Sequence, residues 1–294
     1  MLKLDATFLL KTSARVQSLL IVCALSVSML ATLISCGGST APTDAVTLPT
    51  ANLDLNRSMT PGVFSVVLND KELTSILTKP AVTQTEAGLF YVLQFNNTDP
   101  DIYSGSLSGL GTTTATSNNL VHQNTSGILR SGIATVSAMG TASVKTTLNF
   151  PATTTESAKE LSWAANVLPE TTYRFNTPAL ASVLQGNWTG RLSYGLGFAE
   201  NYTLAISPNG DLISTQVFQS DCQLSKASVI PHSSGVNLYI FNAHIPTATQ
   251  CLLKNESLNG VAFVIASPVP GKSQRFQWVA TARDGRGFSF KADR

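Results

Sequence analysis

The chain predicts an all-β protein: two small antiparallel β-barrel-like or meander domains, reached through a signal peptide and a flexible tether. Three observations lead there. Short segments rich in Thr, Val, Phe and Tyr alternate apolar with polar residues and end at Gly, Pro, Asn or Asp. Charged residues make up only 12% of the 294 residues, against 43% hydrophobic, and Ser, Thr, Asn and Gly take the space that charge usually fills. Finally, the length carries a prior of about two domains, and a change of texture over residues 173–185 divides the strand-like segments into two sets. The same figures exclude a disordered chain, which needs lower hydrophobicity and more charge, and a basic nucleic-acid-binding surface.

The N-terminus comes first. Lys3, Lys11 and Arg15 make a positive segment offset only by Asp5, and residues 19–32 form an apolar run of 14. That run is too short to span a membrane and suits the core of a signal peptide. It ends in Leu33-Ile34-Ser35-Cys36, followed by Gly37-Gly38. This ending resembles the lipobox of bacterial lipoproteins, with Leu at −3, a small residue at −1 and the cysteine that receives lipid. The resemblance implies a signal peptide over 1–35, lipidation at Cys36, and outer-membrane sorting through Gly37, with the protein facing the periplasm or the cell surface. Several acyl chains, at ~0.8 kcal/mol per buried methylene, make such an anchor effectively permanent.

Cleavage after Ser35 would remove three of 19 basic and one of 17 acidic residues, leaving 16 of each in 259 residues. A neutral mature chain offers no electrostatic attraction for nucleic acid or anionic lipid. Of four cysteines, Cys23 would leave with the leader and Cys36 would take lipid, so Cys222 and Cys251 remain as one pair. In an oxidising compartment a disulfide is expected. A metal site is the rival, but two isolated thiols lack nearby ligand spacing.

Residues 36–60, rich in Ser, Thr, Pro, Ala and Asn without an apolar period, read as the tether. An N-terminal β domain follows over 61–172, with strands expected at 63–68, 88–95, 102–107, 133–139 and 143–150 and a short helical turn at 71–77. Residues 173–185 read as a linker with a short helix, Thr177 as its N-cap and Pro178 at its first position. The C-terminal domain, 186–294, shows the clearest alternation. Strands are expected across Trp188 to Tyr194, Tyr202 to Ile206, 212–218, 223–230, 236–244, 258–266, 275–282 and 287–291. Pro208-Asn209-Gly210-Asp211 and Asp284-Gly285 supply tight turns. Such a series argues an antiparallel meander that closes on itself. Gly62-Val63-Phe64 beside Gly186-Asn187-Trp188, and Trp163 against Trp278, suggest a duplicated small barrel.

Gly186-Asn187-Trp188 also resembles the Gly-x-Trp that opens the first strand of lipocalin-like barrels. The resemblance implies that the Trp plugs one barrel end and that a late Arg packs over it, with Arg283, Arg286 and Arg294 as candidates. The pattern from Tyr173 to Gly190, with the Cys222/Cys251 pair in a strand-rich tail, is similar to uncharacterised proteobacterial lipoproteins and imports no activity.

Catalytic patterns are sparse. His122, His232 and His244 show neither His-x-x-x-His nor Cys-x-x-Cys companions, so no metal site and no cofactor is expected. There is no Gly-x-Ser-x-Gly elbow. Asp99 and Asp101 around Pro100 read as a turn, and Glu156 and Glu160 near Lys159 as a solvated segment rather than a glycosidase pair. Inward candidates for barrel core or ligand pocket are Trp188, Leu192, Tyr202, Leu204, Phe263, Phe276 and Trp278. Core is favoured, because an eight-stranded barrel is just wide enough for side chains to fill. The functional expectation is a non-enzymatic envelope lipoprotein that binds another envelope component, an external protein or a small apolar ligand. An inhibitor or immunity lipoprotein acting against a periplasmic toxin or lysozyme is the alternative.

Overall fold

A computed structural model describes residues 59–294 apart from 69–70, 79–87, 97–98, 125, 140–141, 195–198, 214–221, 247–250 and 252. The expected signal peptide, Cys36 and all but the end of the tether lie outside the described residues. Met59 is described and is buried in the first barrel, its carbonyl accepting from the Gly111 amide at 3.0 Å. The folded body therefore starts at least two residues before the expected boundary at 61.

The fold is all-β. Eight strands form a closed antiparallel barrel in simple meander order: β1 (Gly62–Leu68), β2 (Lys71–Thr78), β3 (Gly88–Asn96), β4 (Asp99–Leu107), β5 (Thr114–Gln123), β6 (Leu129–Met139), β7 (Ser143–Phe150) and β8 (Lys159–Val167). β1 closes on β8 through the pairs Phe64–Val167 and Ser65–Asn166. Alternation drives most of these strands: Val144, Thr146, Leu148 and Phe150 are buried while Lys145 and Asn149 between them are exposed. Three elements differ from the sequence reading, β8 (Lys159–Val167) being one for which no strand bounds were expected. Residues 71–77 are strand, not a helical turn. Leu73, Ile76 and Leu77 mimic a helical i, i+3, i+4 stripe because both faces of β2 are buried, Leu77 inside the barrel and Ile76 outside it. β5 escapes recognition because its inward residues Ala115 and Ser117 are small and a bulge between Ser117 and Leu120 shifts the phase.

After the linker come a single helical turn, α1 (Ala181–Leu184), and a second eight-stranded meander: β9 (Gly186–Ser193), β10 (Ala199–Ile206), β11 (Leu212–Ile213), β12 (Ser225–Pro231), β13 (Tyr239–His244), β14 (Ser257–Ala266), β15 (Gln274–Thr281) and β16 (Gly287–Asp293). Its order runs β11-β10-β9-β16-β15-β14-β13-β12, so the first and last strands pair and the break falls between β11 and β12. That seam is bridged where the Val229 amide donates to the Gly210 carbonyl at 2.7 Å and Asp211 pairs with Ser228. Gly190 allows the β9–β16 closure, because a Cβ there would collide with the Lys291 carbonyl and with Ala292. Helix α1 starts later than expected: Leu180 is its N-cap, and the Thr177 hydroxyl instead donates to the Arg174 carbonyl at 2.8 Å. As for duplication, Phe64 and Trp188 do occupy the same inward position on their first strands. Trp163 and Trp278 are not equivalent, one lying on the eighth strand of its barrel and the other on the seventh.

The barrels are not separate beads on a string; the described residues from Met59 to Arg294 belong to one compact unit. Between them lies a third apolar cluster of outward-facing residues: Val63, Ile76, Tyr91, Leu93 and Ile102 from the first barrel, Val261, Phe263, Ile265 and Val279 from the second, with Tyr173, Phe175 and Leu238. Covering its outer face removes the alternation from β15, whose residues from Arg275 to Ala280 are all buried. The linker is held by the Asn237 amide donating to the Phe175 carbonyl at 2.8 Å and by the Tyr173 hydroxyl donating to the Asn237 carbonyl. Across the joint, the Gln123 side chain bonds the Gly287 backbone both ways, at 2.7 and 3.2 Å.

Candidate functional site

Six of the seven predicted inward residues, Trp188, Leu192, Tyr202, Leu204, Phe276 and Trp278, lie together in the interior of the second barrel. They are packed as core. Trp278 stacks on Phe241 with ring centroids 4.2 Å apart, and Phe276 lies 5.2 Å from Trp188. The Trp188 indole N–H donates to the Leu184 carbonyl at 2.7 Å. Of the three candidate arginines, Arg294 is the one over this ring, its guanidinium carbon 3.9 Å from the ring centroid. Its N–H groups donate to the Val183 and Gln185 carbonyls and to Gln274 Oε1. Phe263 corrects the expectation: it faces out of the barrel into the joint, edge-on to Tyr173 at 6.0 Å. With Gly260 to Phe263 all buried, both faces of β14 read as core and period two no longer tells inside from outside.

Cys222 and Cys251 are joined, with Cα atoms 5.1 Å apart, both buried in the second barrel's core. The bridge ties the segment before β12 to the segment before β14, beside the seam. Closing a loop of 29 residues contributes about 3.6 kcal/mol in the chain-entropy picture.

The histidines do not converge. His122 stacks on Tyr103 at 4.3 Å inside one end of the first barrel, with its Nε2 3.5 Å from Asp101. Burial, aided by the Asp101 charge, pushes the Tyr103 phenol well above its ordinary value. His232 is buried, and its Nδ1 takes hydrogen bonds from the amide and hydroxyl of Ser234. His244 ends β13. Glu156 is not merely solvated: it pairs with Arg130 at 2.8 Å. Glu160 is exposed on β8. Among the described residues no group of three His, Cys, Asp or Glu side chains could hold a metal ion.

A different site emerges where the barrels meet. Beside the apolar joint lies a cleft of about 720 Å³, within the ~300–1,000 Å³ of small-ligand sites. The first barrel contributes Thr78, Leu89, Tyr91, Ser104, Gly105, Ser106, Asn119 and Val121; the second contributes His232, Ile240, Asn242, Asn255 to Ser257, Asn259 to Val261, Thr281 to Arg283 and Gly285. Tyr91 anchors one wall by donating to the Asn259 carbonyl at 3.2 Å, and burial pushes its phenol above the ordinary value, offset in part by a hydrogen bond with the Thr281 side chain. Gly285, at φ +89°, turns the β15–β16 hairpin directly against Val121, where a Cβ would have no room. Sequence reasoning had no route to this cleft, since its walls come from strands of two barrels whose docking the sequence pattern does not encode.

No protein-family model matches the chain, and no curated protein or solved structure matches it significantly.

Proposed function

We propose that the chain is a non-catalytic envelope lipoprotein, anchored through Cys36 at the outer membrane, whose paired barrels hold a ligand or partner group in the cleft between them. The lipobox-like sequence Leu33-Ile34-Ser35-Cys36 after an apolar run supports the address. One observation carries the binding role: two walls from separate barrels, fixed by a shared apolar core, present side chains such as Asn242 and Asn259 that make no hydrogen bond among the described residues. The filled aromatic interior of the second barrel favours this outer cleft over a lumen holding an apolar ligand.

Metabolic palmitate labelling of the full chain should mark it, and Cys36→Ala should abolish the mark. A photo-crosslinking side chain at position 283, exposed in the cleft lining, in cells making the anchored protein, should trap a ligand that the same group at the exposed position 180 does not trap. Absence of labelling would remove the anchor from the proposal. Hydrolysis of an envelope polymer by the purified protein, abolished by one carboxylate variant, would replace the binding role with an enzymatic one.

A further inference from the structure

The cleft also carries information about what it would take. We propose that it binds an uncharged, hydroxyl-rich ligand, a neutral oligosaccharide segment; this rests on the binding role argued above. The first ground is the kind of side chain left free. Asn242, Asn255, Asn259 and Ser257 line the cleft, and their side chains make no hydrogen bond among the described residues. Each carboxamide offers donor and acceptor on one rigid group, which suits sugar hydroxyls that themselves both donate and accept. Asn119 adds a donor: its Oδ1 already accepts from the Ser106 amide and hydroxyl and from the Ser117 hydroxyl, each at 3.0 Å.

The second ground is charge. Glu256 and Arg283 balance one another in the lining, so the site has no net attraction for a phosphate, a nucleic acid or a cation. An extended peptide is disfavoured by backbone arithmetic. β3, β14 and β15 are hydrogen-bonded to neighbours on both sides, so these cleft walls offer no open edge for an added strand. Leu89, Val121 and Ile240 supply the apolar patches on which sugar C–H faces rest.

The test uses the full-length anchored protein in detergent, titrated calorimetrically with four probes. They are a β-1,4-linked N-acetylglucosamine tetramer, maltotetraose, a polygalacturonate oligomer and an uncharged Gly/Ser peptide. Saturable binding of a neutral oligosaccharide is expected, changing less than about twofold between 50 and 500 mM salt. Asn242→Ala with Asn259→Ala should weaken it by about tenfold or more, as two hydrogen bonds are lost, with an unchanged melting temperature. Preference for the charged oligomer or the peptide, or binding of neither neutral sugar, overturns the inference. If position 283 still crosslinks a non-carbohydrate ligand in cells, the binding role survives and only the ligand class falls; if it traps nothing, both fall.

Discussion

Phe263→Ala tests whether the two barrels are one cooperative body. The Phe263 ring is fully buried in the joint and meets Tyr173 edge-on at 6.0 Å. Truncating a buried Phe to Ala costs ~3–5 kcal/mol, part of it an aromatic-pair contribution of ~0.5–1.5 kcal/mol. With a urea slope near ~3 kcal/mol/M, the midpoint should fall by ~1–1.7 M. Tryptophan positions make the assay selective, because Trp163 reports the first barrel while Trp188 and Trp278 report the second. In variants that retain one reporter set, wild-type unfolding should give coincident transitions, and Phe263→Ala should move both. A first-barrel signal that ignores Phe263→Ala, or separate transitions before the substitution, would refute the shared core.

Three further outcomes follow from the geometry. Cys222→Ser should lower stability by ~3–4 kcal/mol under oxidising conditions and change little when the wild type is also reduced; equal losses in both states would contradict the bridge. Arg294→Ala, which removes the guanidinium from Trp188 and its bonds to the Val183 and Gln185 carbonyls, should cost ~2–3 kcal/mol in chemical denaturation, with Arg294→Lys recovering less than half because an ammonium lacks the planar fork. Burial alone would raise the Asp293 carboxyl, but hydrogen bonds from Arg275 and Ser267 and the charges of Arg275 and Lys291 outweigh it and hold the group below its ordinary value. Its contribution is therefore complete above the unfolded value of about 4 and is lost as pH falls through the folded one, so Asp293→Asn should flatten the stability profile below about pH 4 while lowering it at neutrality.

Much of the architecture was legible because one face of most strands meets water. β10, with Tyr202, Leu204 and Ile206 inward, announces itself by alternation, as does β13 with Tyr239, Phe241 and Ala243. Legibility failed where the second face is also covered. Ile76 in β2 and Phe263 in β14 are apolar because another barrel lies on them, and a single sequence gives no sign of that cover. The Gly-x-Trp pattern correctly pointed to an arginine over Trp188 without choosing among three, since the choice depends on which strand end meets β9. The cleft escaped for the same reason as the joint: Asn242 and Asn259 read as ordinary solvent-facing positions until the first barrel is set beside them.

The pairing of each barrel's first strand with its last has a kinetic side. Phe64 meets Val167, and Gly190 meets Ala292, across about a hundred intervening residues each. Neither ring can complete until its two extremities find one another, and the entropy of that search is spent before the final ladder returns any energy. Refolding is therefore slow for the chain's size, on the scale of milliseconds to seconds or longer. Over that interval the margins of β1, β8, β9 and β16 stay available to other chains, which favours refolding at high dilution.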